Sequence, residues 1–114
     1  MSKLIIQVED FDSGLKRFRR AWENSEEQGE YLTFATVEAM LKTLTSRRWE
    51  LLKILQAEGP MSLRALARRL GRDVKSVHRD VTALKALGLI EDCAQGIRVP
   101  YDEIEAHLTL KAAA

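Results

Sequence analysis

At 114 residues the chain is long enough for one domain with one modest core. Its 46% hydrophobic and 31% charged residues are the balance of a globular protein rather than a disordered or fibrous one. Net charge is +1, no run nears the roughly 18 consecutive apolar residues of a membrane span, and a single cysteine, Cys93, excludes an internal disulfide and points to a reducing cytoplasm.

Read from the N-terminus, Met1–Val8 is too short and too soon acidic for a signal peptide. Leu4–Val8 is branched and apolar, and reads as a strand. Phe11, Leu15, Phe18 and Trp22 then recur on one face of a helix, and the basic cluster Lys16, Arg17, Arg19 and Arg20 reads as a solvated face or else as a contact to nucleic acid. Asn24–Glu30 is polar with a glycine and reads as a loop. Tyr31–Phe34 reads as a second short strand, and Val37, Met40, Leu41 and Leu44 as a short helix.

The second half is more sharply punctuated. Thr45 or Ser46 can cap a helix carrying Trp49, Leu52 and Leu55, widened by Leu51 and Ile54, and Glu58-Gly59-Pro60 stops it. Ser62 can cap the next, with Leu63, Leu66, Ala67 and Leu70 inward and Gly71 in the left-handed position after its end. Asp73 can cap a third, with Val74, Val77, Val81, Leu84 and Leu87 inward and Gly88 beyond it. Leu89–Cys93 and Ile97–Val99 read as strands around an Ala94-Gln95-Gly96 loop. Ile104, Ala106, Leu108 and Leu110 alternate with Glu105, His107 and Thr109, which favours a strand over a helix beginning after Pro100. The terminal Ala112–Ala114 reads as a frayed end.

Charge is unevenly spread. Between Ser62 and Gly88, Arg64, Arg68, Arg69, Arg72, Lys75, Arg79 and Lys85 stand against Asp73 and Asp80, a local +5 that leaves −4 for the rest of the chain. A basic island on an otherwise acidic chain is the footprint of an anionic partner. Three helices with a tight Leu70–Asp73 turn, then a hairpin, are the parts of a winged helix-turn-helix. With Val77, Val81 and Leu84 inward, the opposite face of the third helix holds Lys75, Arg79, Thr82 and Ala86, flanked by Ser76 and Ala83. Such a mixture of long donors, short hydroxyls and small residues fits a major groove about 12 Å wide. Lys75, Ser76, Arg79 and Thr82 are the expected base contacts, Arg79 foremost, since a guanidinium reads guanine bidentately. Ser62, Arg64, Arg68, Arg69, Arg72, His78 and Lys85 are the expected phosphate contacts. His78 has an alternative, a hydrogen bond within the protein involving Asp80. Gln95, Gly96 and Arg98 would form a wing touching the backbone or minor groove, or else a plain solvent turn.

Arg48–Leu52, Gly59–Ser62, Leu66-Ala67, the string Arg72–Val81, the Leu87–Glu91 exit and Val99–Ile104 together resemble small transcriptional regulators of bacteria and archaea in the MarR-like winged-helix group. The resemblance covers Thr45 to Tyr101, about half the chain, and implies sequence-specific double-stranded DNA binding as a homodimer. It also implies an alternative, an antitoxin-like module that binds a toxin protein. The expected architecture is α+β: residues 1–44 as a strand-helix-strand arm for dimerisation, 45–101 as the DNA-binding winged helix, and 102–114 as a C-terminal strand or tail. Two copies would set their recognition helices about 34 Å apart on a palindromic site.

No catalytic, metal or cofactor site is expected. There is no phosphate-binding glycine loop or nucleophile elbow. Cys93 and His107 lack partners at ligand spacing, and Cys93 reads as a buried inert thiol.

Overall fold

Residues 2–9 and 30–109 are described by a computed structural model. The stripe from Phe11 to Trp22, the Lys16–Arg20 cluster, the loop before Glu30, Leu110 and the terminal alanines all lie outside the described residues. In chain order the elements are β1 (Lys3–Val8), β2 (Glu30–Phe34), α1 (Val37–Thr43), α2 (Ser46–Glu58), α3 (Leu63–Leu70), α4 (Val74–Ala86), β3 (Glu91–Cys93), β4 (Gly96–Arg98) and β5 (Glu103–His107). The fold class is α+β. None of these helices is long and apolar enough to cross a membrane. The chain forms two compact units, Met1–Thr43 with Glu103–Ala114, and Leu44–Asp102.

The first unit is built on a sheet of order β2-β1-β5 in which both pairings are parallel. Parallel neighbours cannot be joined by a tight turn and need a connection of a dozen or more residues. Leu4 and Ile6 of the central strand are buried and align with Ile104 and Ala106 of β5. The other face is polar: the Gln7 side-chain amide donates to the Thr33 hydroxyl at 3.2 Å, and the Lys3 ammonium lies 2.8 Å from Glu105. The Thr36 hydroxyl accepts from the Ala39 N–H at 3.0 Å and caps α1. Met40 is buried there, whereas Leu41 is 56% exposed.

The second unit holds the three longer-range helices predicted from periodicity. Each begins on a side-chain cap: Thr45 accepts from the Arg48 N–H, Ser62 from Ala65 and Asp73 from Ser76, at 3.3, 3.1 and 3.3 Å. Leu51, Leu52, Leu55, Leu66, Ala67, Val77, Val81, Leu84, Leu89, Ile90 and Ile97 are buried in its core. A fully buried Leu, Ile or Val side chain contributes about 1.5–3 kcal/mol relative to exposure, which fixes the inner face of each helix. Of the residues expected inward, Ile54, Leu63, Leu70 and Leu87 are half-buried, as is Trp49, and Val74 is exposed. Trp49 is only half-buried because the inner stripe of α2 runs through Leu51 and Leu55 instead. Val74 is 40% exposed, at the first position of α4, before the helix has turned its side chains to the core.

Gly71 takes φ 65° and ψ 34° between α3 and α4. Its N–H reaches the Arg68 carbonyl at 3.2 Å and the Arg72 N–H reaches Ala67 at 3.0 Å, a left-handed termination that reverses the chain within a few residues.

The hairpin differs from the sequence reading in register. Cys93 pairs with Gly96, so the loop is Ala94-Gln95 alone and Gly96 belongs to β4. Met61 exchanges backbone hydrogen bonds with Ile97 at 3.1 and 2.9 Å, tying the hairpin to the segment between α2 and α3. This close approach is why position 96 is glycine. At φ +130° an added Cβ would collide with the Met61 carbonyl oxygen and lie 2.8 Å from the Ser62 Cα. Gly96→Ala is therefore expected to destabilise the protein by about 2 kcal/mol through strain and a displaced strand. A thermal melt matching wild type would contradict that contact. Cys93 is half-buried rather than buried.

Candidate nucleic-acid interface

The geometry of α4 follows from its valines. Val77, Val81 and Leu84 are buried, so a 100° advance per residue turns Lys75, His78, Arg79, Thr82 and Ala86 outward, and all five are exposed. Arg64 and Arg68 of α3 are exposed as well. Among the described residues, Arg64, Arg68, Lys75 and Arg79 form no ion pair, so their charges are available to an external anion.

The other expected contact residues are engaged within the protein. The Thr82 hydroxyl donates to the His78 carbonyl one turn back at 2.8 Å, leaving its oxygen only as an acceptor. Ser62 is spent as the cap of α3. Arg69 lies 2.7 Å from Glu58, Lys85 2.6 Å from Asp92, and Arg98 donates from Nε to Glu91 at 2.6 Å. All three pairs are solvent-exposed and so are readily exchanged for another anion. Gln95 is exposed at the hairpin tip, whereas Gly96 faces Met61 and is withdrawn from it.

Arg72 and Ser76 require correction. The Arg72 guanidinium, expected on a phosphate, donates from Nη2 to Asp80 and to the Ser76 hydroxyl, both at 2.7 Å. Asp80 also accepts from Arg48 Nε at 3.1 Å. The side chains of Arg48, Arg72 and Asp80 are only 19%, 16% and 14% exposed. Ser76 is half-buried and accepts from Arg72, which removes it from the outward set. Burial by itself would push the Asp80 carboxyl up, but hydrogen bonds from Arg72 and Arg48, with their charges, more than offset this and hold it below the usual carboxylate range. The trio joins the first turn of α2, the α3–α4 turn and the middle of α4. These hydrogen bonds tie α4, which carries Lys75 and Arg79, to α2 and to the turn before it. His78 therefore has no claim on Asp80, and its ring is exposed.

The sequence contains little that could reveal this trio. Arg48 and Asp80 are 32 positions apart. The one available sign is an aspartate at mid-helix within a basic segment, which must be either solvated or paired.

A cleft of about 270 Å³ between the end of α2 and the chain after β4 is lined by Leu55, Gln56, Pro60, Val99, Tyr101 and Asp102, among others. It falls short of the roughly 300–1,000 Å³ and mainly apolar lining of small-molecule sites. The cationic face of α3 and α4 is the stronger candidate.

No curated protein and no solved structure matches the chain. Residues 43–106, more than half of the chain and all of the second unit, match the HVO_A0114 family, and the protein belongs to that family.

Proposed function

We propose that Leu44–Asp102 is a winged helix-turn-helix and that the protein is a sequence-specific double-stranded DNA-binding transcriptional regulator. In this reading α3 and α4 are the helix-turn-helix, with α4 in the major groove, and the β3–β4 hairpin is the wing. The observation that carries it is the outward side of α4, where Lys75 and Arg79 are exposed and unpaired among the described residues while Val77, Val81 and Leu84 hold the opposite side in the core. Small or short Thr82 and Ala86 continue that side, so a duplex can approach the helix closely.

The roles divide by reach. Lys75 and Arg79, in the N-terminal half of α4, read base edges. Arg64 and Arg68 neutralise phosphates and set register, with Arg69 and Lys85 able to exchange their exposed carboxylates for phosphate. Arg72 and Asp80 act on DNA only through the placement of α4.

Selection of bound fragments from random DNA, followed by titration of the enriched sequence, tests the reading. Arg79→Ala is expected to cost about 1–3 kcal/mol on the preferred sequence and to relax preference at one position. Arg68→Ala is expected to weaken all sequences alike and lower the salt slope by about one. If neither change alters DNA affinity, the alternative of an antitoxin-like module, with a toxin protein as its partner, replaces this one.

A further inference from the structure

The sheet of the first unit ends at β5. The Glu103 N–H donates to the Ser2 carbonyl at 3.3 Å, and β5 pairs with β1 from Lys3↔Glu103 to Gln7↔His107. This directs the backbone groups of Glu103, Glu105 and His107 toward β1. Strand residues alternate, so the N–H and C=O of Ile104 and Ala106 point the other way, with Leu108 next in phase. Among the described residues no strand pairs with that side. β5 also lacks the proline, lysine or bulge that blunts an exposed edge.

Its side chains carry a second signal. On the apolar face the central strand is buried at Leu4 and Ile6, whereas β5 is half-buried at Ile104 and exposed at Ala106, and Leu108 just beyond it is 53% exposed. On the polar face, Glu105 lies 2.8 Å from Lys3 and 3.0 Å from the His107 Nε2.

We propose that β5 pairs antiparallel with β5 of a second copy about a two-fold axis at Ala106, joining the two sheets into one. Charge selects this register. Residues whose backbone groups point outward must face each other, which leaves few alignments. Centring on Ile104 sets Glu103 against the partner's Glu105, and centring on Glu105 sets it against the partner's Glu105; both are like-charge contacts. Centring on His107 opposes it to the partner's His107. Centring on Ala106 opposes no like charges: it sets Glu105 opposite the partner's His107, a carboxylate facing an imidazole as the two already do within one chain, and Ile104 opposite the partner's Leu108. The apolar face then continues through the junction. Such a contact is isologous and closes as a dimer, so it does not propagate into a fibre. The inference does not rest on the DNA-binding reading and stands or falls separately from it.

Light scattering and oxidative cross-linking test it on the full chain. Wild type is expected at twice the chain mass at micromolar concentration. Ala106→Pro removes an outward N–H without touching the β1 ladder, and is expected at the single-chain mass with unchanged far-ultraviolet circular dichroism. In a Cys93→Ser background, Ala106→Cys is expected to cross-link to its own mate, because directly opposed hydrogen-bonded residues sit about 5.5 Å apart, within disulfide reach. Glu105→Cys is expected to cross-link far more slowly. A single-chain mass for wild type, a dimeric Ala106→Pro, or cross-linking through position 105 rather than 106 would overturn the proposal. Should Ala106→Pro misfold, the cross-linking pair decides alone.

Discussion

Asp80→Ala is expected to remove about 3–5 kcal/mol of folding stability. The arginines Arg48 and Arg72 are mostly withdrawn from water and converge on this one carboxylate, so its loss takes from Arg72 its ion-pair partner and from Arg48 a charged hydrogen bond. Set against the 5–15 kcal/mol of a typical domain, this is a large share of the whole, equivalent to a fall of about 10–20 °C in Tm. Urea unfolding followed by circular dichroism measures it. A loss below about 1 kcal/mol would mean that the trio behaves as an ordinary surface ion pair. Replacing Arg48, Arg72 and Asp80 together by apolar residues of similar volume is expected to cost far less, since no charge is then stranded.

The same carboxylate gives the acid limb of stability a definite sign. Asp80 in the folded protein holds its proton less tightly than an ordinary aspartate, whose pKa is about 3.9. Its contribution is therefore fully present above that unfolded value and is lost as pH falls toward the lower folded one. Wild type is expected to lose stability more steeply than Asp80→Ala over that acidic window, and the two curves should run parallel near neutrality.

The helices of the second unit were legible because each carried its own punctuation. Thr45, Ser62 and Asp73 all occur as caps, and Gly71 adopts the left-handed conformation that its position after Leu70 required. Local chemistry of this kind is written within four or five residues. What was not legible is pairing at long range. The alternation Ile104-Glu105-Ala106-His107 announces a strand with one apolar face, but does not say that it runs parallel to β1, because alternation is blind to direction. The bridge between Met61 and Ile97 joins a residue that reads as loop to one that reads as strand, and only the geometry explains why Gly96 stands beside it. At the candidate interface, helical phase alone separated Lys75 and Arg79 from Val77 and Val81, though not from Val74. Phase could not show that Arg72 would be drawn away from solvent, because that depends on Asp80 two turns along and on Arg48 from another helix.

The affinity of the protein for its preferred duplex is expected to fall roughly ten-fold for each bound chain between 50 and 200 mM monovalent salt. Each phosphate neutralised by a lysine or arginine releases condensed counterions, and log K falls with log salt at about −0.9 per phosphate on duplex DNA. Arg64 and Arg68 are the exposed α3 cations assigned to phosphates and held by no described carboxylate, which sets a slope of about −2 for each bound chain. Arg69, Lys85 and Arg98 would steepen it if they leave Glu58, Asp92 and Glu91 for phosphate, and Arg69→Gln, which removes the cation, distinguishes the cases: the slope falls by about one if Arg69 exchanges partners. A hydrophobic protein-binding surface gives a nearly flat salt dependence instead. Fluorescence anisotropy at four or five salt concentrations therefore measures the reading directly, and a slope near zero on the selected sequence would remove DNA from the account of this face.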